Sequence, residues 1–385
     1  MKILIIDPRC VNASSSYYYV TGLASGLAKY SDVTLISVKD CQISGNSGYR
    51  LKNLFYPLSQ QMPQNKFRQI LRGIEYIFAY LYIIIHCILN KYDVIQVEWP
   101  IVYKVDKTVF RILKKKTRLF VLKAHNVLPH ATGEKLTETF RKLYSIADKV
   151  IVHGEGMKRE FIEYFPEYES KVYIQRHGIY TGHDLSFDSE LIDPDIKERI
   201  SRHKRLYLFY GRIDEDKGVD RLVNIWSRDL DGKSGLLAIA GKINPNYSSF
   251  SIVEDQIGKC KDILYLPGYV DDNLLNYLIS NSALIIMPYV KGSMSGVAFT
   301  ASEFSVPILT TKFGSIEEYV QDGQTGYVVD NDDVQLALKL NEIEDSVTDD
   351  ELKKSGINMH NYYNENYQWG KIAEKLINEC YAISS

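Results

Sequence analysis

Short, continuously apolar segments recur along this chain, and longer segments separate each one from the next. Such segments, rich in Ile, Val and Leu, are typical of parallel strands, because those strands are covered on both faces. In the first half of the chain they are 1–7, 32–38, 93–97, 118–124, 149–153 and 171–175. Apolar residues at helical spacing in 20–29 and 136–147 place helices between strands. The alternation predicts a doubly wound α/β domain.

The same alternation returns after a break in the pattern. Residues 178–184 read Gly-Ile-Tyr-Thr-Gly-His-Asp, and a polar, acidic stretch follows them. The strand pattern then resumes at 206–210, 236–240, 263–266, 283–287 and 307–310. The last segment, 369–383, has apolar residues at helical spacing and no strand after it. We therefore predict a first domain at 1–180, a linker at 181–204, a second domain at 205–360, and a crossing segment at 361–385 whose helix packs back on the first domain.

Composition narrows the classes of partner and compartment. A length of 385 residues favours two domains over one. The 46 basic and 48 acidic residues give a formal net charge of -2, which does not favour nucleic acid as the main partner. The five cysteines include no Cys-x-x-Cys pair, which fits a reducing cytoplasm. Charged residues interrupt the first apolar run after Ile6, so we expect no secretory signal.

The loop after the strand at 206–210 carries the most informative chemistry. Residues 210–222 read Tyr-Gly-Arg-Ile-Asp-Glu-Asp-Lys-Gly-Val-Asp-Arg-Leu, so the strand ends at Gly211 and a helix follows Arg212 and Lys217. Cationic side chains and helix-start amides at the carboxyl end of a parallel strand suit a diphosphate. A second interpretation is as consistent with the pattern: both cations pair with the aspartates of the same solvated loop.

Gly-Arg, four residues and then Lys-Gly resembles the signature of the retaining GT-B glycosyltransferases of family four, the glycosyl transferases group 1. In that family the arginine and lysine bind the diphosphate of a sugar nucleotide. Later segments agree in order and spacing, namely 237–242, 263–270, 283–289, 295–297 and 306–308. The resemblance covers nearly the whole chain and implies a GT-B fold. Two Rossmann-like domains would face a central cleft, the first binding the acceptor and the second the nucleotide sugar.

The resemblance also implies a set of site residues. His125 ends a strand where the family has a histidine that faces the transferred sugar, and it joins Arg212 and Lys217 as a predicted catalytic residue. A hydrogen-bonded histidine at a strand end is the common alternative. Glu98 and Trp99 are predicted to bind the acceptor, although a tryptophan is more often part of a core. The predicted donor-binding residues are Gly211, Arg212, Lys217, Gly241, Lys242, Tyr269, Val270, Ser295, Gly296, Val297 and Glu303.

Three departures from the family pattern concern the donor loop and the first loop. Family members usually carry two donor-site glutamates separated by seven residues, and those positions fall here on Gly292 and Thr300. Glu303 lies close to one helical turn beyond Thr300 and is a candidate replacement, with a solvent-exposed helix glutamate as the alternative. Some family members with Ser-Gly-Val in this loop also lack the first glutamate. The glycine-rich first loop is replaced by Ser-Ser-Ser-Tyr-Tyr-Tyr at 14–19.

The expected activity is retaining transfer of a hexosyl unit from a nucleoside diphosphate sugar to a saccharide acceptor in cell-surface polysaccharide biosynthesis. The resemblance makes a polyprenyl-diphosphate-linked acceptor reasonable. We expect no cofactor and no metal, because Arg212 and Lys217 can neutralise the leaving diphosphate. One alternative is a sugar-nucleotide epimerase of the same architecture. Another is a pseudo-glycosyltransferase that binds nucleotide or a partner protein, which the missing glutamates favour.

A basic and then apolar segment predicts a contact with lipid. Lys66, Arg68 and Arg72 precede the apolar run 74–89, and this combination suits the surface of an anionic membrane. The alternative is a buried helix of the first domain. The run is shorter than the roughly 20 residues that cross a bilayer. We therefore expect a cytoplasmic protein, with peripheral contact to the inner face of the plasma membrane as the further hypothesis.

Overall fold

A computed structural model describes residues 1–11, 14–43, 47–129, 133–180, 182 and 184–382. The chain forms two compact units, the first made of Met1–Gly182 with Asn366–Ser385 and the second of His183–Glu365. Each unit is built on a parallel β-sheet, so the predicted α/β class is confirmed. The predicted linker, 181–204, groups with the second unit from residue 183 onward, and the chain returns to the first unit at Asn366.

The first unit has helices on a parallel sheet of order β3-β2-β1-β4-β5-β6-β7. Its strands are β1 (Lys2–Ile6), β2 (Asp32–Val38), β3 (Arg50–Phe55), β4 (Tyr92–Val97), β5 (Thr117–Lys123), β6 (Lys149–Val152) and β7 (Val172–Ile174). Its helices are α1 (Ser15–Ala28), α2 (Lys66–Leu89), α3 (Tyr103–Lys114), α4 (Thr137–Ile146) and α5 (Glu155–Tyr164). The central strands β1 and β4 are almost fully buried, as their largely apolar sequences require, and β5 is buried from Phe120 onward.

The second unit repeats this design with a sheet of order β10-β9-β8-β11-β12-β13. The strands are β8 (Arg205–Tyr210), β9 (Gly235–Gly241), β10 (Ile263–Pro267), β11 (Ser282–Met287), β12 (Ile308–Thr311) and β13 (Gly326–Val329). The helices are α6 (Pro194–Ser201), α7 (Val219–Ile225), α8 (Phe250–Ile257), α9 (Asp272–Ser280), α10 (Gly296–Glu303), α11 (Asp333–Ser346) and α12 (Asp349–Asn366). Strand order reverses between β8 and β11, and ligands of open α/β sheets bind at the carboxyl ends of strands at such a point.

Hydrogen bonds explain why the predicted linker belongs to the second unit. The Asn276 side-chain amide donates to the carbonyl oxygens of Asp184 and Ser186, at 2.8 and 2.9 Å. The Arg199 guanidinium donates to the carbonyl oxygens of Lys261 and Ile263, both at 2.9 Å. These side chains satisfy backbone acceptors next to α9 and β10, so 184–204 is fixed to this unit.

The terminal helix α13 (Trp369–Lys375), with a π-helical turn after it, belongs to the first unit and packs against α1. Trp369 fills a space that glycines leave open. A Cβ atom on Gly22 would lie 2.1 Å from Trp369 Nε1, and one on Gly178 would lie 2.5 Å from the indole ring. The indole Nε1–H donates to the carbonyl oxygen of Ile179 at 2.8 Å. The predicted return of the terminal helix to the first domain is confirmed.

Candidate functional site

The loop after β8 is held against the loop after β11 by a glycine and by backbone hydrogen bonds. Gly218 adopts φ +65°, and a Cβ atom there would lie 2.0 Å from the carbonyl oxygen of Pro288. Only glycine combines that conformation with so close an approach. The amide of Val290 donates to the carbonyl oxygen of Asp216 at 2.9 Å. The two loops that flank the reversal of strand order are therefore fixed together.

Arg212 and Lys217 differ in their surroundings. Arg212 is exposed and forms an ion pair with Asp214 at 2.5 Å, as the alternative interpretation of this loop predicts for that residue. Lys217 is half-buried, and its Nζ lies 3.8 Å from the centre of the Tyr289 ring. The pKa of Lys217 is lowered to about 8, because burial lowers it more than the charge of Asp216 raises it, and the nearby charge of Arg212 contributes to the lowering.

Lys217 is connected to the start of α10 through Tyr289. The Tyr289 hydroxyl lies 3.3 Å from Ser295 Oγ, and Ser295 Oγ accepts a hydrogen bond from the Val297 amide at 3.3 Å. Ser295 is thus the N-cap of α10, and Gly296 begins the helix. Amides at a helix N-terminus favour an anion. The structure therefore brings Lys217 and the predicted loop 295–297 into one row.

A pocket of about 330 Å³ opens at the carboxyl ends of β8, β9 and β10. The backbone of Gly241 approaches Gly211 so closely that a Cβ atom on Gly241 would lie 1.7 Å from the Gly211 carbonyl oxygen. The Tyr269 side chain at the rim is 86% exposed. Six predicted donor residues line this pocket, namely Gly211, Arg212, Gly241, Lys242, Tyr269 and Val270. Lys217, Ser295, Gly296, Val297 and Glu303 are outside its lining.

Glu303 and Thr300 lie on α10. Thr300 is buried, and its hydroxyl donates to the carbonyl oxygen of Gly296 at 3.4 Å. Glu303 is half-buried and is the last residue of the helix. Its assignment to the ribose of a donor therefore stays a prediction.

In the first unit, His125 follows β5 and is held on both ring nitrogens. Its Nε2 lies 2.9 Å from Glu98 Oε2, and its Nδ1 lies 3.1 Å from His153 Nε2. The ring also stacks on Trp99, with centroids 4.2 Å apart and planes 7° from parallel. Burial lowers the pKa of His125 well below its ordinary value, and the charges of Lys123 and Arg9 add to the effect. His125 is therefore neutral at physiological pH.

Glu98 and Trp99 occupy different environments. Glu98 is fully buried, and burial raises its pKa to about 7 against the opposing charge of Lys123. Glu98 lies against His125, and its predicted contact with an acceptor stays a prediction. Trp99 is partly exposed, and the Arg9 guanidinium lies 4.3 Å from its ring centre. Trp99, Arg9, His125 and Asn126 line a cavity of about 110 Å³.

A chain of buried hydrogen bonds extends from His125 to the terminal segment. Gln96 donates to Glu98 Oε1 at 2.5 Å, and the Tyr381 hydroxyl donates to Gln96 Oε1. Sequence reasoning missed Gln96, His153 and Tyr381. A signal existed for Gln96, because it is a polar residue within the otherwise apolar run 94–97. A buried polar side chain needs a partner, so it marks a network.

The match to a family model lies within the second unit. Residues 204–345 match the family model described as Glycosyl transferases group 1. Alpha-maltose-1-phosphate synthase of Mycolicibacterium smegmatis is 23% identical over 253 residues, which are 62% of this chain and 64% of that protein. The capsular polysaccharide biosynthesis glycosyltransferase CapM of Staphylococcus aureus is 23% identical over 223 residues, 54% of each chain. This chain therefore spans less than two thirds of the length of these relatives.

The solved structure of HepE from Anabaena in complex with UDP and glucose is similar over 100% of both chains, with a TM-score of 0.69 and 15% sequence identity. At this identity the likeness shows the fold, and the predicted GT-B fold is confirmed. The residues that line the pocket after β8, from Tyr210 to Leu275, all lie between 204 and 345. The whole pocket therefore lies within the region that matches the family model.

Proposed function

We propose that this protein is a glycosyltransferase that moves a hexosyl unit from a nucleoside diphosphate sugar to a saccharide acceptor. The observation that carries the proposal is the row formed by Lys217, Tyr289 and Ser295 beside the pocket that Arg212 lines. This row combines a desolvated cation with a capped helix N-terminus, and both stabilise a diphosphate.

The nucleoside of the donor would bind in the pocket, and its diphosphate would bind at the row formed by Lys217, Tyr289 and Ser295. Gly241, Tyr269 and Val270 form the pocket wall, where backbone groups and an exposed ring suit a nucleoside base. The diphosphate would lie between Arg212, Lys217 and the amides that start α10. HepE was solved with UDP and glucose, which supports a uridine nucleotide as the first donor to test. Glu303 is the proposed ribose ligand.

The chemistry proposed is cleavage of the bond between the anomeric carbon and the diphosphate oxygen. Negative charge grows on the diphosphate as this bond breaks, so a cation and amides fixed beside it bind the transition state more tightly than the ground state. In this proposal Lys217 and Arg212 supply the positive charge that neutralises the diphosphate, and no metal ion takes part. Transfer with retention of anomeric configuration is proposed from the family resemblance.

His125 is proposed to orient the transferred sugar. Because Glu98 holds Nε2 and His153 holds Nδ1, the ring is neutral and fixed in orientation, and it would contact the sugar through its carbon atoms rather than through a nitrogen. Pre-organised contacts of this kind reduce the entropy lost on reaching the reactive geometry. The partly exposed Trp99 and Arg9 border the same cavity and are the proposed acceptor contacts.

The proposed acceptor is a saccharide on a polyprenyl diphosphate in polysaccharide assembly at the cytoplasmic side of the membrane. CapM, by its name, serves capsular polysaccharide biosynthesis, and its similarity to this chain supports that choice. The absent glutamates at Gly292 and Thr300 keep nucleotide binding without turnover as a second candidate.

Measuring turnover with a panel of sugar nucleotides distinguishes glycosyl transfer, epimerisation and nucleotide binding without turnover. The full chain is incubated with UDP-, GDP-, ADP- and dTDP-sugars, with and without saccharide or lipid-linked acceptors, and released nucleoside diphosphate and sugar products are quantified. Acceptor-dependent release with an α-linked product from an α-configured donor supports retaining transfer. Altered sugar configuration without release indicates epimerisation. Thermal stabilisation by a nucleotide with no turnover on any acceptor indicates binding alone.

A further inference from the structure

One face of α2 is apolar and uncovered along the whole helix. α2 has 24 residues and is therefore about 36 Å long. From Ile70 to Leu89, every exposed side chain of this helix is aliphatic or aromatic. Phe78 is 66% exposed and Leu89 is 76% exposed. We call this set the α2 apolar face, and it consists of Phe67, Ile70, Ile74, Ile77, Phe78, Leu81, Tyr82, Ile85, Ile88 and Leu89. A contiguous apolar surface of this size marks an interaction site.

The opposite face of α2 anchors the helix to the first unit. Tyr76 and Tyr80 are buried and pack with Phe55 on β3 at centroid distances of 5.7 and 5.6 Å. The Tyr76 hydroxyl donates to Asp106 Oδ1 at 2.6 Å. α2 has the length and hydropathy of a membrane-crossing helix, but these core contacts hold it along the protein surface. A partner must therefore meet the helix side-on.

The neighbouring helix presents positive charge. Lys104, Arg111 and Lys115 lie seven and four residues apart along and just beyond α3, and all three are exposed. Residues at these spacings share one helix face. Between 66 and 118 the chain has eleven Lys and Arg against four Asp and Glu. Three of those four acids, Glu75, Glu98 and Asp106, are buried.

The apolar face of α2 and the basic face of α3 together indicate which partner binds this surface. A second copy of the chain in a two-fold symmetric contact would bring the same basic residues together, and like charges oppose such an interface. An anionic bilayer offers an apolar layer beneath a negative surface. Helices with a large apolar face and basic flanks lie in that interface with the apolar face buried by about 5–10 Å.

We propose that the α2 apolar face and the basic face of α3 form a docking surface for an anionic lipid bilayer. Apolar side chains of α2 enter the boundary between headgroups and acyl chains, while Lys104, Arg111 and Lys115 contact anionic headgroups. The docking needs neither donor nor acceptor, so it stands independently of the proposed transfer reaction.

Vesicle flotation tests the docking. The full chain is mixed with vesicles of phosphatidylcholine alone or with roughly 30% phosphatidylglycerol, which gives the vesicles a negative surface. One variant replaces Ile70, Phe78 and Ile85 by Gln, and a second replaces Lys104, Arg111 and Lys115 by Glu. Matched controls carry the same changes on exposed residues of the second unit: Ile252, Leu338 and Ile357 to Gln, and Lys259, Lys353 and Lys354 to Glu.

We expect wild type and both controls to float with the anionic vesicles and to be released by salt. The vesicle partition coefficient of the Gln variant should be at least roughly tenfold lower than that of wild type. In the Glu variant, each basic residue replaced should lower the partition coefficient by roughly fivefold. Wild type that stays unbound at low salt overturns the proposal. So does a Gln variant that binds as wild type does. If the protein does not bind vesicles but forms a dimer, and the Gln substitutions dissociate that dimer, the face binds a second copy of the chain instead. Release of nucleoside diphosphate with a soluble acceptor, measured in parallel, reports the transfer reaction separately.

Discussion

The ammonium nitrogen of Lys217 lies 3.8 Å from the centre of the Tyr289 ring, and the Tyr289 hydroxyl lies 3.3 Å from Ser295 Oγ. The aromatic face attracts the cation, and burial removes much of its water. The lysine of one loop is thereby fixed beside the helix start that follows another. Its pKa of about 8 is a direct consequence of that desolvation.

Nucleoside diphosphate affinity should depend on pH through Lys217. The lysine carries its charge below its pKa of about 8 and loses it above, so affinity should fall as the pH rises from 7 to 9.5. Lys217→Arg keeps the charge throughout this range, and its affinity should change little. Isothermal titration calorimetry at several pH values measures both. An equal fall in the two proteins would remove Lys217 as the origin of the pH dependence.

Lys217→Ala should cost turnover more than folding. The cation is best placed to act on a diphosphate whose charge grows in the transition state, and removal of such a group typically lowers the rate by on the order of a hundredfold. The melting temperature should stay close to that of wild type. Lys259→Ala, an exposed lysine elsewhere in the second unit, is the control and should keep full turnover. Near-normal turnover in Lys217→Ala contradicts the central assignment.

The sequence predicted central strands better than edge strands. β3 reads Arg-Leu-Lys-Asn-Leu-Phe and, among the described strands, pairs with β2. Because it is partly exposed at the sheet edge, it lacks the continuous apolar run that marks β1 or β4. β13, at the edge of the other sheet, was also missed, because its apolar run is only the four residues Gly-Tyr-Val-Val. The α2 apolar face was ambiguous because both faces of that helix are apolar, and sequence alone does not say which one is buried.

The candidate site was predictable where one short segment carries the chemistry, as in the loop of Arg212 and Lys217. It was not predictable where partners come from distant segments. Tyr289 follows another strand, and Tyr381 reaches Gln96 only because the chain returns to the first unit. Local patterns predict which residue types are present, whereas tertiary packing decides which of them meet.

Glu303→Gln should weaken nucleoside diphosphate binding without changing the melting temperature. A carboxylate accepts hydrogen bonds from the two ribose hydroxyls more strongly than an amide does, so the loss should be about tenfold for one charged hydrogen bond. Thr300→Ala is the matched change on the same helix and should leave affinity nearly unchanged. Competition calorimetry with the best nucleotide measures both. Equal affinity for wild type and Glu303→Gln would leave the ribose contact to another residue.

Asp7 should make stability decrease with rising pH. Asp7 is fully buried, and burial and the charge of Glu98 raise its pKa from 3.8 to about 7. The folded chain therefore holds a proton that the unfolded chain releases at lower pH. The resulting stabilisation is complete below pH about 4 and is lost as the pH rises through about 7, with a total on the order of 4 kcal/mol.

Asp7→Asn should reduce this dependence, because its side chain has no proton to lose, and the remaining slope should come from groups such as Glu98, whose pKa is also raised to about 7. Urea unfolding of the first unit between pH 4.5 and 7.5 provides the measurement. Asp40→Asn, a half-exposed aspartate after β2, should keep the wild-type slope. Parallel slopes for wild type and Asp7→Asn would show that another group carries the dependence.

The packing of Trp369 against Gly22 and Gly178 has a consequence for the order in which the two units fold on the ribosome. The second unit is one continuous stretch, so it can complete its core as soon as residue 365 has emerged. The first unit begins earlier but lacks the indole that fills the gap over α1 until Trp369 has left the exit tunnel. Domains usually mature from the amino terminus onward. Here the first unit is completed after the second, and a nascent chain stalled before Trp369 would carry a folded second unit and an incomplete first unit.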